Sequence, residues 1–271
     1  MKKKLLLLGC GNLGSLLLES WISSNIELEV IEKNKTKSLV FKKLHPGIKF
    51  HRKFQDLSSR YYDFTVLCIK PPELDKANLL LNCKFFKTKN LISLMAGINI
   101  KKLEKLFDSN TNIFRVMPNI LASVSHSSTA LFSKKKISNE LKEDIEDLFI
   151  KIGKIMWLKK ETDINFFTAL YGGGPAYILH FFKNLIEISE KNGISKKDSS
   201  ELVKSMLFGS AEYLKKNKKS LDSIISIVTS KGGTTEEAIK FLNKKNQILN
   251  LLASAINKAK KKSLLISKKY N

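Results

Sequence analysis

The 271-residue chain carries 48 Lys and Arg against 25 Asp and Glu, a net charge of +23, with 43% hydrophobic residues. It has no run of 18 or more apolar residues, so no membrane span is expected, and its length allows one large core or two smaller ones. The lysines are spread along the whole chain, Arg is scarce, and no nucleic-acid motif with interleaved aromatics occurs. A nucleic-acid partner is therefore not expected, although such a field attracts anionic substrates and nucleotide phosphates.

Met1–Leu8 superficially copies a signal peptide, but glycines interrupt the apolar run and no small-residue cleavage site follows. Cys10, Cys68 and Cys83 are odd in number and lack CxxC spacing. They point to a reducing, cytoplasmic setting, without a disulfide framework or zinc site. No metal is expected elsewhere either, since His45, His51 and His126 fall in loop-like stretches without ligand spacing. His180 sits on an apolar helix face and reads as packing.

In chain order, Lys4–Leu8 is a continuous apolar run suited to a buried parallel strand. A helix over Ser15–Ser23 follows, then strands at Leu28–Ile31, Phe64–Ile69 and Leu91–Met95, with helical pieces near 35–44, 73–81 and 101–107. This alternation predicts βαβ units and a parallel sheet. Further strands are expected at Ile113–Val116, Thr129–Phe132 and Lys154–Leu158, the last preceded by a helix near 139–151.

Beyond about residue 160 the strand signal stops. Ile164–Lys191 reads as helix, with Gly172-Gly173-Gly174-Pro175 near its start and Gly193 as its C-cap. Helices near 197–216, with Ser195 at the N-cap, and near 220–228, 235–243 and 246–265 follow. The chain thus divides into an α/β domain over 1–160 and an all-α domain over 161–271. Leu170, Phe181, Phe182, Leu185, Ile186, Met206, Leu207 and Phe208 need more covering than the second domain supplies, so that half is expected to pack against another copy of itself.

Gly9-Cys10-Gly11-Asn12-Leu13-Gly14 matches GxGxxG between the first strand and first helix. Gly9 permits the tight turn, Gly11 lets backbone approach a pyrophosphate, and Gly14 allows close helix–strand packing. Unpaired amides at the helix start then face the anion. Glu32, 18 residues after Gly14, suits the ribose hydroxyls of NADH, while Lys33, Lys35 and Lys37 suit the 2′-phosphate of NADPH. The residues leave that choice open.

Together with this loop, "LCIKPPEL" (67–74), "ISLMAGI" (92–98), "RVMPNI" (115–120), "GGGPAY" (172–177) and "VTSKGGTT" (228–235) form an ordered series. In that order and spacing the chain resembles pyrroline-5-carboxylate reductase along nearly its whole length. The resemblance implies a Rossmann-type domain followed by a helical dimerisation domain that interlocks with a partner chain. It also implies hydride transfer from NADPH or NADH to the C=N carbon of 1-pyrroline-5-carboxylate, giving L-proline, the last step of proline biosynthesis. By motif matching, Cys68, Ile69, Lys70 and Pro71, with Leu94, Met95 and Ala96, line the cofactor near its ribose and nicotinamide. Gln55 falls on the adenosine side.

The same resemblance gives the 228–235 turn a use. Thr234-x-x-Glu237 has capping-box spacing, so the free amides with Ser230 and Thr235 are expected to hold the substrate carboxylate. Gly232 and Gly233 allow close approach, and the Thr235 hydroxyl reaches the ring nitrogen. The protein's task is then chiefly placement and exclusion of water.

Three positions depart from the family pattern: Lys231 replaces a proline, Gly173 a serine, and Ser226 with its neighbours a polar, often acidic pair. Lys231 loosens the turn but adds positive charge beside it. The alternatives are a related cyclic-imine reductase, a β-hydroxy-acid oxidoreductase, and a non-catalytic paralogue that keeps the fold for binding or regulation. The second lacks its expected GxxxK-type lysine, and the third would have lost the loop glycines or GGTT.

Overall fold

The computed structural model describes residues 2–74 and 86–271. Cys83 and most of the helix expected near 73–81 lie outside the described residues. Strands β1 (Lys3–Leu8), β2 (Ile26–Ile31), β3 (Lys49–His51), β4 (Tyr61–Leu67), β5 (Lys87–Ser93), β6 (Asn112–Met117), β7 (Ser127–Ser133) and β8 (Gly153–Trp157) build one sheet in the order β3-β2-β1-β4-β5-β6-β7-β8. The first six strands are mutually parallel; β7 runs antiparallel to β6, and β8 parallel to β7. The order 3-2-1-4-5-6 is that of a dinucleotide-binding sheet, so the predominantly parallel Rossmann-type architecture is present.

Alternation across this two-sided sheet sorts the leucines of β1. Leu5 and Leu7 join Trp21, Val30 and Val66 on one face, while Leu6 and Leu8 join Ile31, Leu67 and Tyr62 on the other. All four leucines are buried, each contributing roughly 1.5–3 kcal/mol. Helix α1 (Asn12–Trp21) closes the first face, where the Trp21 indole donates to the Leu148 carbonyl at 2.6 Å. Helix α2 (Lys35–Leu44) starts on Asn34, whose side chain accepts from the Lys37 amide. Helices α3 (Ile100–Glu104), α4 (Asn139–Phe149) and α5 (Asp163–Phe167) complete this part of the chain.

β3 has no counterpart in the sequence reading. Lys-Phe-His is too short for a period-two signal, and its pairing with Glu29–Ile31 of β2 makes it a strand. His51, expected in a loop, ends this strand. The helix expected over Ile164–Lys191 is also broken. A π-helical turn at Thr168–Gly172 separates α5 from α6 (Gly174–Lys191). The side-chain amide of buried Asn119 donates to the Tyr171 carbonyl of that turn at 3.0 Å, so the MPN stretch helps hold this irregular backbone.

Two compact units result: residues 1–173 with 259–271, and residues 174–258. They divide later than residue 160, because α5 and the π turn fold with the sheet. Ser263 donates to the Asn165 side chain at 2.8 Å and the Asn271 side-chain amide to the Gly97 carbonyl at 2.6 Å, which holds the last thirteen residues in the first unit.

The second unit contains α6, α7 (Lys196–Lys216), α8 (Leu221–Val228), α9 (Thr234–Asn243) and the first part of α10 (Gln247–Tyr270). Gly193, after α6, adopts φ +89°, and the Ser195 hydroxyl caps α7 by accepting from the Asp198 amide. Phe181, Met206, Phe208, Phe241 and Leu251 are exposed in the single chain, leaving apolar faces without a partner. For the same reason His180 is exposed rather than packed. Among the described residues, no helix is long and apolar enough to cross a membrane.

Buried Arg115 on β6 pairs with Glu161 at 3.1 Å, and the same carboxylate oxygen accepts the Ile100 amide at 2.8 Å. Burial pulls the guanidinium pKa down and Glu161 pushes it back up. Removing the acid would strand a buried cation, but Glu161 is 27% exposed, so water relieves part of the cost. Glu161→Ala is expected to lower unfolding free energy by about 2 kcal/mol, measured by urea denaturation. An unchanged midpoint would contradict the role of this pair.

Candidate active site

The first helix and the strand ends beside it shape a cleft of the first unit. The ladder runs right to its floor, with the Gly9 amide on the Ile31 carbonyl at 2.9 Å, the Cys68 amide on Leu8 at 2.8 Å and the Leu94 amide on Leu67 at 3.0 Å. Gly9 sits at φ +93°, and a Cβ there would lie 2.6 Å from the Cys68 carbonyl oxygen; only glycine fits. Gly14 is packed against Gly9 in the same way. At Gly11, by contrast, an added Cβ would meet nothing within 4 Å. Gly11 is also the N-cap of α1 and offers no side-chain cap, leaving the first amides of the helix for an anion.

The cleft encloses about 510 Å³ and is lined by Gly9, Gly11, Leu13, Glu32, Lys33, Cys68, Ile69, Lys70 and Leu94, all named from the sequence. Leu8, Ile31, Asn34, Phe54 and Glu73 also line it and were not named. Asn12, Gly14, Gln55, Pro71, Met95 and Ala96 do not line it. Asn12 opens α1, Gln55 is exposed beside Phe54, Met95 is buried in the second-face core, and Ala96 is exposed. Phe54 had a detectable signal, being the apolar residue of an otherwise polar "RKFQD" run. The volume and the cradle at Gly11 fit the pyrophosphate of a dinucleotide.

Glu32 is bound more tightly than its expected ribose role requires. One oxygen accepts the Cys10 amide at 3.0 Å and the other the Asn34 amide at 2.8 Å. The carboxylate thereby fastens the glycine loop to the start of α2. Burial pushes the Cys10 thiol up to about 12, with Glu32 and Cys68 adding to it, and burial alone takes Cys68 to about 12. At pH 8 such thiols are about one part in ten thousand thiolate, against about a quarter for an ordinary cysteine. Iodoacetamide at pH 8 is therefore expected to label Cys10 and Cys68 about a thousandfold more slowly in the folded chain than in urea, followed by peptide mass mapping. The native rate is expected to rise about tenfold per pH unit while the fold persists. Equal native and denatured rates would contradict this burial.

In the second unit, the 228–235 stretch forms a turn whose capping differs from the expected box. The N-cap of α9 is Gly233, without a side-chain cap, and Thr234 is already helical. The reach-back comes from Glu236, whose carboxylate accepts the Gly232 amide at 2.7 Å; Glu237 pairs with Lys240. The Gly232 amide, with Lys240, holds the Glu236 carboxyl below its usual pKa. Gly232 has φ +74°, and the Gly233 amide donates to the Ser230 carbonyl at 3.0 Å. The turn's own bonds thus use the amides of Gly232 and Gly233. Those of Thr234 and Thr235, in the first turn of α9, have no intrahelical acceptor. Ser230 and Thr235 are exposed. Among the described residues, no group of three or more His, Cys, Asp or Glu is placed to hold a metal.

The family model for pyrroline-5-carboxylate reductase dimerisation matches residues 161–265. A pyrroline-5-carboxylate reductase of Aquifex aeolicus is 31% identical over 202 residues, covering 73% of this chain and 75% of the relative. The crystal structure of the Plasmodium falciparum pyrroline carboxylate reductase with NADP bound is 30% identical, with a TM-score of 0.76 and 98% of each chain covered. The Coxiella burnetii reductase structure is 27% identical, with a TM-score of 0.85 over 98% of this chain and 99% of that one. With strand order, glycine cradle and helical turn all in place, the chain belongs to the pyrroline-5-carboxylate reductase family.

Proposed function

We propose that the chain reduces 1-pyrroline-5-carboxylate to L-proline at the expense of NADPH or NADH, as the last step of proline biosynthesis, in the cytoplasm. The observation that carries this reading is the open cradle at Gly11, at the mouth of a 510 Å³ cleft, in a chain that keeps the family's GGTT turn. When bound, a reduced nicotinamide supplies the hydride. The protein's residues bind, orient and exclude water.

In this reading residues 1–160 hold the nucleotide, and residues 161–271 hold the substrate and pair with a second copy. The α1 amides and Gly11 take the pyrophosphate, Glu32, Lys33 and Asn34 face the adenosine ribose, and Cys68 to Lys70 with Leu94 face the nicotinamide half. Lys33 and Lys35 supply positive charge for a 2′-phosphate. Thr234 and Thr235 hold the substrate carboxylate through their free amides, with Ser230 beside them and Lys231 adding charge. The Thr235 hydroxyl meets the ring nitrogen. A positioned imine needs no titrating side chain, and near-attack placement of the reactants supplies several kcal/mol. The exposed apolar faces of α6 and α7 support pairing with a second copy.

The test is direct. Purified chain mixed with 1-pyrroline-5-carboxylate and NADPH, or NADH, is expected to form proline in step with loss of nicotinamide absorbance. No proline with either nucleotide would reject the assignment.

A further inference from the structure

A buried acid that the proposed chemistry does not use lies beneath the adenosine end of the cleft. Glu29, in the middle of β2, is 1% exposed. Its side chain points to the same face as Leu6, Leu8 and Ile31, opposite to Leu28 and Val30. One carboxylate oxygen accepts the Ser58 amide at 3.1 Å and lies 3.0 Å from the His51 Nε2, and the other accepts the Ser58 hydroxyl. Lys49 donates to that hydroxyl at 3.0 Å and pairs with Glu27 at 3.0 Å. Burial alone would raise the Glu29 pKa; the two Ser58 bonds, with Tyr62 and His51 adding to them, outweigh it and hold the group below its usual value.

His51 and Ser58 are the two ends of one short segment, and between them lies the 3₁₀ turn Phe54–Asp56. That turn has little hold on itself, since its two backbone bonds are both 3.3 Å long. Phe54 nevertheless lines the cleft, buried and stacked on Phe86 at 5.7 Å. On the same side, the His51 carbonyl accepts the Glu32 amide at 2.9 Å. A second-strand acid marks the adenosine end of such clefts.

We propose that Glu29 is a positioning residue for nucleotide binding: by fixing both ends of the 51–58 segment, it sets the Phe54 wall at the adenosine end of the cleft. The inference rests on the nucleotide site proposed above. It differs from a general stabilising role because the loss is confined to one half of one ligand. An ion inside the fold is costly unless fully bonded, and here its bonds converge on a wall of the site.

The test compares wild type, Glu29→Gln and Ser58→Ala, each as the full chain. Measurements are ADP-ribose affinity by calorimetry, KM for NADPH and NADH, KM for 1-pyrroline-5-carboxylate, and kcat at saturation. Glu29→Gln is expected to weaken ADP-ribose and raise the nucleotide KM about tenfold, with kcat and the substrate KM within about twofold. Ser58→Ala, which keeps the Ser58 amide, is expected to shift the same two quantities about threefold; if Glu29→Gln fails to fold, this variant decides. Wild-type values throughout, or a fall in kcat at unchanged ADP-ribose affinity, would overturn the assignment alone. A wild-type chain that binds no nucleotide would overturn it together with the reading beneath it.

Discussion

Replacing Gly11 by valine is expected to weaken NADPH and NADH binding about a hundredfold, roughly 2.7 kcal/mol, while the melting temperature stays within about 2 °C of the native chain. The reason is the contrast among the three loop glycines. Side chains at Gly9 and Gly14 would collide with the protein's own backbone, so variants there lose stability and function together. A Cβ added at Gly11 meets nothing within 4 Å, and Gly11 lines the cleft assigned to the pyrophosphate. Stability and binding therefore separate at this position. Calorimetry with each nucleotide beside thermal unfolding gives both readouts, and a Gly11→Val chain that binds normally would mean that the phosphates lie elsewhere.

Thr235→Ala is expected to lower kcat/KM for 1-pyrroline-5-carboxylate about a hundredfold and leave nucleotide affinity unchanged, the loss typical of one preorganised donor. Thr235 is exposed in the first turn of α9. Its neighbours on the N-terminal side have spent their amides, Gly232 on Glu236 and Gly233 on Ser230. The Thr234 and Thr235 amides, in the first turn of α9, have no intrahelical acceptor, and in the proposed reading they take the incoming carboxylate with the Thr235 hydroxyl beside it. Thr235→Ser keeps a hydroxyl and is expected to retain most of the activity. Undiminished turnover in the alanine variant would remove the hydroxyl from the mechanism.

These two predictions rest on features that were legible to different degrees. Four consecutive leucines before GxGxxG leave little choice but a buried strand feeding a phosphate turn, because only a two-sided sheet covers such a run. The cleft residues at 68–70 and 94 were reached through the resemblance, by matching the "LCIKPPEL" and "ISLMAGI" stretches, and not from periodicity. Phe54 left only the faint mark of one apolar residue in a polar run, and Glu29 left none. Alternation in "IELEVI" assigns Glu29 to a solvent face, and only the pairing of β2 with β3, itself too short to detect, puts that face under cover. The turn at 228–235 was found from its composition. Its cap was misplaced by one residue, and with it the acid that reaches back, Glu236 rather than Glu237. The apolar surplus of α6 and α7 was visible in the residues alone, whereas the folding of α5 and the last thirteen residues with the sheet depends on tertiary bonds from Asn119, Asn165 and Asn271 that no local pattern records.

A crystal structure of the chain with NADPH and L-proline tests the central claim most directly. The pyrophosphate is expected over Gly11 and the α1 amides, and the proline carboxylate on the Thr234 and Thr235 amides with its ring carbon facing nicotinamide C4. Proline bound away from residues 230–235, or a nucleotide lying outside the Gly9–Gly14 loop, would contradict it.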